Sequence, residues 1–145
     1  MRTTALLILT CILMSCSDAS KAPGGAPAAS PESRIEAIPA ADPSKYSHVR
    51  DYRSWRNPYL IVRADGVALA DFQNNEEHIL KPEELTSALA KLPAAAWPYG
   101  RVVAVAENVV RNGSQEEEIA IRRNRGIVAG TLESMHVLIN WIPPA

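Results

Sequence analysis

Ser114-Gln115-Glu116-Glu117-Glu118-Ile119-Ala120-Ile121-Arg122-Arg123-Asn124-Arg125-Gly126-Ile127-Val128-Ala129-Gly130-Thr131-Leu132-Glu133-Ser134 decides the fold, because its conformation settles how the strands on either side are joined. Two readings compete. Ile119-Ala120-Ile121 followed by Asn124-Arg125-Gly126 has the outline of a hairpin. Against that, Ser114 and Glu117 stand at capping-box spacing: the Ser hydroxyl accepts from the N3 amide and the Glu carboxylate reaches back. A wheel at 100° per residue gathers Ala120, Ile121, Ile127, Val128, Thr131, Leu132 and Met135 into one arc, with Arg122, Arg125, Gly126 and Glu133 opposite. Cap and arc agree, so the stretch is read as a helix over Gln115–Ser134. Gly126 and Gly130 cost that helix about 1 kcal/mol each relative to Ala. Asn124 falls within the arc and requires a hydrogen-bond partner if buried.

On the N-terminal side, Arg101-Val102-Val103-Ala104-Val105-Ala106 is almost continuously apolar, as suits a strand covered on both faces. Glu107 to Val110 extends it and Asn112-Gly113 ends it. On the C-terminal side, His136 to Ile142 is a strand stopped by Pro143-Pro144. Strand, helix and strand make a βαβ unit.

Further upstream, Pro82 to Leu92 reads as a helix. Pro82 fits the first helical position, where its missing N–H costs nothing. Glu83 and Glu84 suit the positive end of the dipole. Leu85, Ala88, Leu89 and Leu92 form one apolar face, and Pro93 stops it. Trp97-Pro98-Tyr99-Gly100 is a turn. Tyr59 to Ala64 and Val67 to Ala70 flank Asp65-Gly66, which predicts a hairpin closed by a type I′ turn. Phe72 to Glu77 reads as a polar loop and His78-Ile79-Leu80 as a short strand. Tyr46 to Pro58 mixes aromatics with charge. The reading preferred is a covering segment that packs Tyr52 and Trp55 while its arginines snorkel; the alternative is an exposed surface of Arg50, Arg53 and Arg56. The whole is a small two-layer α/β sandwich: a mixed sheet of about four strands, ordered hairpin, helix, strand, helix, strand, with both helices on one face.

That order resembles the periplasmic domain of TolR/ExbD-type proteins. The resemblance is carried by Ala64-Asp65-Gly66, Pro82-Glu83-Glu84-Leu85 and the unit from Val102 to Ile139. TolR/ExbD-type proteins also carry a membrane-spanning helix with a functional acidic residue. The leader of this chain has neither, so a proton-driven motor role is not implied.

The N-terminus supplies an address. Arg2 precedes a short apolar run, Leu6 to Leu13, and Ser17-Asp18 opens a polar region. This is the layout of a secretory signal, and the run is shorter than the about 20 residues a bilayer core requires. Leu13-Met14-Ser15-Cys16 resembles a bacterial lipobox, with Met14 where Ala, Ser, Thr or Val is more usual. The resemblance implies cleavage before Cys16, diacylglycerol on its sulfur and acylation of the new amino group. Ser17 after Cys16 resembles the outer-membrane sorting pattern of related lipoproteins, where a cell has two membranes. Several acyl chains give stable anchoring, each buried CH₂ contributing ~0.8 kcal/mol. Residues 1–15 are thus a signal peptide, 16–43 a lipidated Cys and disordered Pro/Ala/Ser linker, and 44–145 a single α/β domain. As a coil the linker spans on the order of 30 Å.

Composition narrows the function. The chain has 145 residues and a formal net charge of −1. No strongly basic stripe supports nucleic-acid binding. Of two cysteines, Cys11 lies in the leader and Cys16 is the lipidation site, so the domain folds without a disulfide or catalytic thiol. No Gly-x-Ser-x-Gly, P-loop, Gly-x-Gly-x-x-Gly, His-Glu-x-x-His or EF-hand motif occurs. No catalytic residue, metal or cofactor is expected. Glu76-Glu77-His78 lacks a visible third contributor to a metal site. The candidate binding residues are Trp97 and Tyr99, with the basic cluster Arg122, Arg123 and Arg125. Three functions follow in order of preference: a lipid-anchored, non-enzymatic envelope domain that binds another envelope protein; a cell-wall glycan module using these aromatic and basic residues; and a small hydrolase.

Overall fold

The computed structural model describes residues 29–72, 74–108 and 113–143. In chain order the elements are helices α1 (Pro31–Glu36) and α2 (Pro43–Tyr46), strands β1 (Tyr59–Val62), β2 (Val67–Asp71) and β3 (Glu76–Leu80), helix α3 (Leu85–Lys91), strand β4 (Val102–Glu107), helix α4 (Gln115–Ser134) and strand β5 (Leu138–Trp141). Three short 3₁₀ turns, Tyr52–Ser54, Pro82–Glu84 and Ala94–Ala96, join them.

The protein is an α/β fold with one mixed sheet of strand order β3-β2-β1-β4-β5. β1 pairs antiparallel with β2 and parallel with β4, and β5 lies parallel to β4. The contested stretch is a helix from Gln115 to Ser134. Its cap forms at both ends of the box: Glu117 N–H donates to Ser114 Oγ at 3.2 Å, and Ser114 N–H donates to the Glu117 carboxylate at 2.9 Å. The helix ends as His136 N–H donates to Glu133 O and Val137 N–H to Leu132 O, both at 2.9 Å, with His136 at φ 54°. That is a Schellman ending, with His in the left-handed position that Gly usually takes.

Five strands form, not about four. β3 starts at Glu76, inside the stretch read as a loop, and pairs with β2 from Asp71↔Glu76 to Val67↔Leu80. Its polar residues are compatible with a strand because it is an edge, where charge discourages further pairing. The β1–β2 hairpin is present, but the type I′ turn at Asp65-Gly66 is not. Arg63 N–H donates to Gly66 O at 3.0 Å, so Ala64-Asp65 is the tip, and neither residue has positive φ. Gly66 instead stands beside β3 at φ +153°, where a Cβ would lie 2.5 Å from Leu80 O.

Leu60 and Val62 of β1 and Val103 and Val105 of β4 point to the helical face. They pack with Leu85 and Leu89 of α3 and Ile121, Val128 and Leu132 of α4. Ile35 of α1 joins this core with no exposed surface. Residues 31–43 were expected to be linker, yet α1 packs on α3, and Arg101 N–H and Asp42 N–H bond to Pro39 O and Tyr99 O at 2.9 Å. The apolar pair Ile35 and Ile38 supplies the burial that the surrounding Pro/Ala residues do not. Residues 16–28 of the expected linker, Cys16 among them, and the leader lie outside the described residues, as do Val109 and Val110 of the expected β4 extension. Among the described residues no helix is long and apolar enough to cross a membrane.

Candidate binding groove

The opposite face of the sheet carries Tyr59, Val102 and Ala104, and the segment between α2 and β1 covers it. Local caps shape this segment. The Asp42 carboxylate accepts from Ser44 N–H and Oγ, and its pKa is lowered chiefly by the Ser44 hydroxyl. Asp51 accepts from Arg53 N–H at 2.9 Å and opens the 3₁₀ turn. Trp55 then turns inward: its indole N–H donates to Pro58 O at 3.2 Å, and its ring meets those of Tyr46 and Tyr99 at centroid distances of 5.6 and 5.2 Å. Both aromatic contacts are edge-on, the arrangement ring quadrupoles favour. Asn57 fastens the segment. Its amide donates to Gly100 O and Val102 O at 2.7 and 2.8 Å and accepts from Tyr99 N–H at 2.8 Å. The covering-segment reading therefore describes Trp55, whereas Tyr52 stays 42% exposed against Tyr59 and Phe72.

Between this segment and Pro98-Tyr99 lies an open groove of ≈ 710 Å³. Lys45, His48, Arg50 and Arg56 line it, with Asp51 as the one acidic side chain and Tyr99 as part of its wall. Lys45 lies 3.7 Å from Asp42. Among the described residues no carboxylate pairs with Arg50 or Arg56.

The expected binding residues do not assemble into one surface. Trp97 and Tyr99 are 4% and 9% exposed, so neither ring is free to stack on a ligand: Trp97 belongs to the helical-face core, and Tyr99 to the aromatic cluster. Both precede β4, at its N-terminal end. Arg125 instead pairs with Glu107 at 3.0 Å, at the C-terminal end of the same strand, and lies 4.5 Å over the Trp141 ring. A six-residue strand separates them, about 20 Å. Arg122 and Arg123 are exposed on α4. Glu76, Glu77 and His78 stand on exposed β3, with Glu77 3.2 Å from Arg63. Among the described residues no three His, Cys, Asp or Glu side chains are grouped to hold a metal. Arg50 and Arg56 belonged to the alternative reading of the 46–58 segment. Lys45 and His48, on and just after α2, line the same groove and carried no separate signal in the sequence. No family model, curated protein or solved structure matches the chain.

Proposed function

We propose that the protein is a lipid-anchored component of the cell envelope whose α/β domain is a binding module with no covalent chemistry of its own. The observation that carries this reading is Leu13-Met14-Ser15-Cys16, a lipobox-like ending to a short apolar leader, followed by a chain with no other cysteine. The module is held outside the cytosol by the Cys16 lipid, in the outer membrane where a cell has two. The groove offers Arg50 and Arg56, with which no carboxylate pairs among the described residues. The partner is another envelope component. A glycan module built on Trp97 and Tyr99 is not retained, because both rings are enclosed. Nor is a hydrolase at Glu76, Glu77 and His78, which lie on an exposed strand.

Feeding cells an alkyne-tagged fatty acid tests the anchor. The mature chain is expected to take up the tag, to begin at a diacylglyceryl-modified Cys16 by mass spectrometry, and to sediment with membranes. Cys16→Ser is expected to lose all three properties. An untagged wild-type chain that keeps its first methionine would overturn the proposal.

A further inference from the structure

The charge on this protein is unevenly distributed. The chain as a whole is −1, yet residues 45–56 hold Lys45, Arg50, Arg53 and Arg56 against Asp51 alone. The fold concentrates this excess. Capping of α2 and of the 3₁₀ turn, together with inward packing of Trp55, leaves Lys45, His48, Arg50 and Arg56 around one concavity. Asp51, the acid in that lining, already accepts a backbone N–H. The groove volume, ≈ 710 Å³, falls in the range of about 300–1,000 Å³ typical of sites for discrete small ligands.

We propose that this groove is a binding site for a phosphate-bearing ligand, with Arg50 and Arg56 as its principal contacts. Three arguments support phosphate. Guanidinium groups present forked donors that match phosphate oxygens two at a time. Two guanidinium groups lining one concavity, unpaired among the described residues, call for a ligand whose negative charge is spread over several oxygens within a few ångströms, as in an oligophosphate or a phosphodiester headgroup. Tyr99 and Val49 line the same concavity, so the two exposed guanidinium groups and an apolar wall address one ligand. Arg122 and Arg123 lack such a wall, and Arg125 is committed to Glu107. This inference rests on the reading of the domain as a binding module and is independent of the anchor.

The test uses the full chain from cells, carried in phosphatidylcholine nanodiscs and titrated calorimetrically with tripolyphosphate at low salt. Intact mass on the same sample reports whether Cys16 is lipidated, so failure of the anchor and failure of the groove are read separately. Saturable binding is expected, weakening as salt is added. Arg50→Ala with Arg56→Ala is expected to weaken it about tenfold or more, since the pair supplies the charge-assisted hydrogen bonds to the ligand. Arg122→Ala with Arg123→Ala is expected to change it less than twofold. Both side-chain pairs are exposed, so an unchanged melting temperature accompanies each double variant. Nanodiscs containing phosphatidylglycerol identify the source of the phosphate: tripolyphosphate affinity lower than in nanodiscs of equal charge made with a carboxylate lipid shows headgroups occupying the groove, and equal affinity in the two shows a soluble ligand. No binding of tripolyphosphate, or equal weakening by the two double variants, would overturn the proposal.

Discussion

A single amide, Asn57, satisfies three backbone groups of the 99–102 segment while itself only 5% exposed. Asn57→Ala leaves Val102 O and Tyr99 N–H without this partner in a buried site and removes one of the two bonds to Gly100 O, which also accepts from Val102 N–H at 2.8 Å. Unsatisfied buried groups cost about 1–3 kcal/mol each, so the variant is expected to lose about 3 kcal/mol or more in a denaturant melt. It should also loosen the groove, whose Tyr99 wall hangs from that bond. Asn57 escapes sequence reading because Asn before Pro signals a turn, and nothing local shows that its partners lie more than forty residues away. Asn124 was more legible, since its place on the apolar arc demanded a partner. Its amide donates to Arg63 O at 2.8 Å and ties α4 to the hairpin. Tyr59 makes a pH prediction. Burial raises its phenol above the usual value of 10, with Tyr52 adding to the shift. The folded chain therefore keeps this proton after the unfolded chain has begun to release it. The corresponding stability is complete below about pH 10 and is lost as pH rises through the folded pKa. Urea melts above pH 10 should show a shallower decline for Tyr59→Phe than for the wild type.

At the scale of elements, α4 is the part that local chemistry specifies most completely. Ser114→Ala breaks the hydroxyl half of the capping box and is expected to cost about 1 kcal/mol. Gly126 and Gly130 give the opposite sign. A Cβ at either meets nothing within 4 Å, so Gly126→Ala and Gly130→Ala should each stabilise by up to about 1 kcal/mol. Thermal melts of the three variants check both signs. The helix was legible because cap, period and C-terminal strand agree. Its buried stripe is narrower than the wheel implied: Ile121, Asn124, Val128 and Leu132 face the sheet, while Ile127 is 42% exposed. The wheel shows which side is apolar, and only the packed sheet selects the residues that touch. β3 was the least legible strand, because an edge strand with Glu76, Glu77 and His78 lacks the alternation that marks a half-buried one. The candidate site was less legible still. Trp97 and Tyr99 were visible as aromatics near turns, but their burial depends on α1 and on the segment before β1, elements with weak periodic signals.

At the scale of the molecule, packed structure reaches back from residue 44 to α1. Ser30-Pro31-Glu32 is a cap, a first-turn Pro and an acidic first turn, and Ser33 N–H donates to Ser30 Oγ at 3.2 Å. Six residues make a helix too short to stand alone. It is held by Ile35, fully buried between α3 and the sheet, and by the 39–42 strap along Tyr99 to Arg101. The strap also fixes Gly100, at φ +80°, where a Cβ would collide with Ala40 O. If this is part of the fold, its removal should be felt throughout the core. Relative to a chain starting at residue 29, one starting at residue 44 is expected to lose several kcal/mol, since it uncovers the Leu89 face of α3 and leaves Tyr99 O and Arg101 N–H unpaired. Ile35→Ala in the longer chain should account for about 2–4 kcal/mol of that loss through its cavity. Urea denaturation of the three proteins decides the matter: equal midpoints for the two lengths would show that residues 29–43 add nothing to the core. A deficit shared by truncation and Ile35→Ala would place the start of the domain at α1.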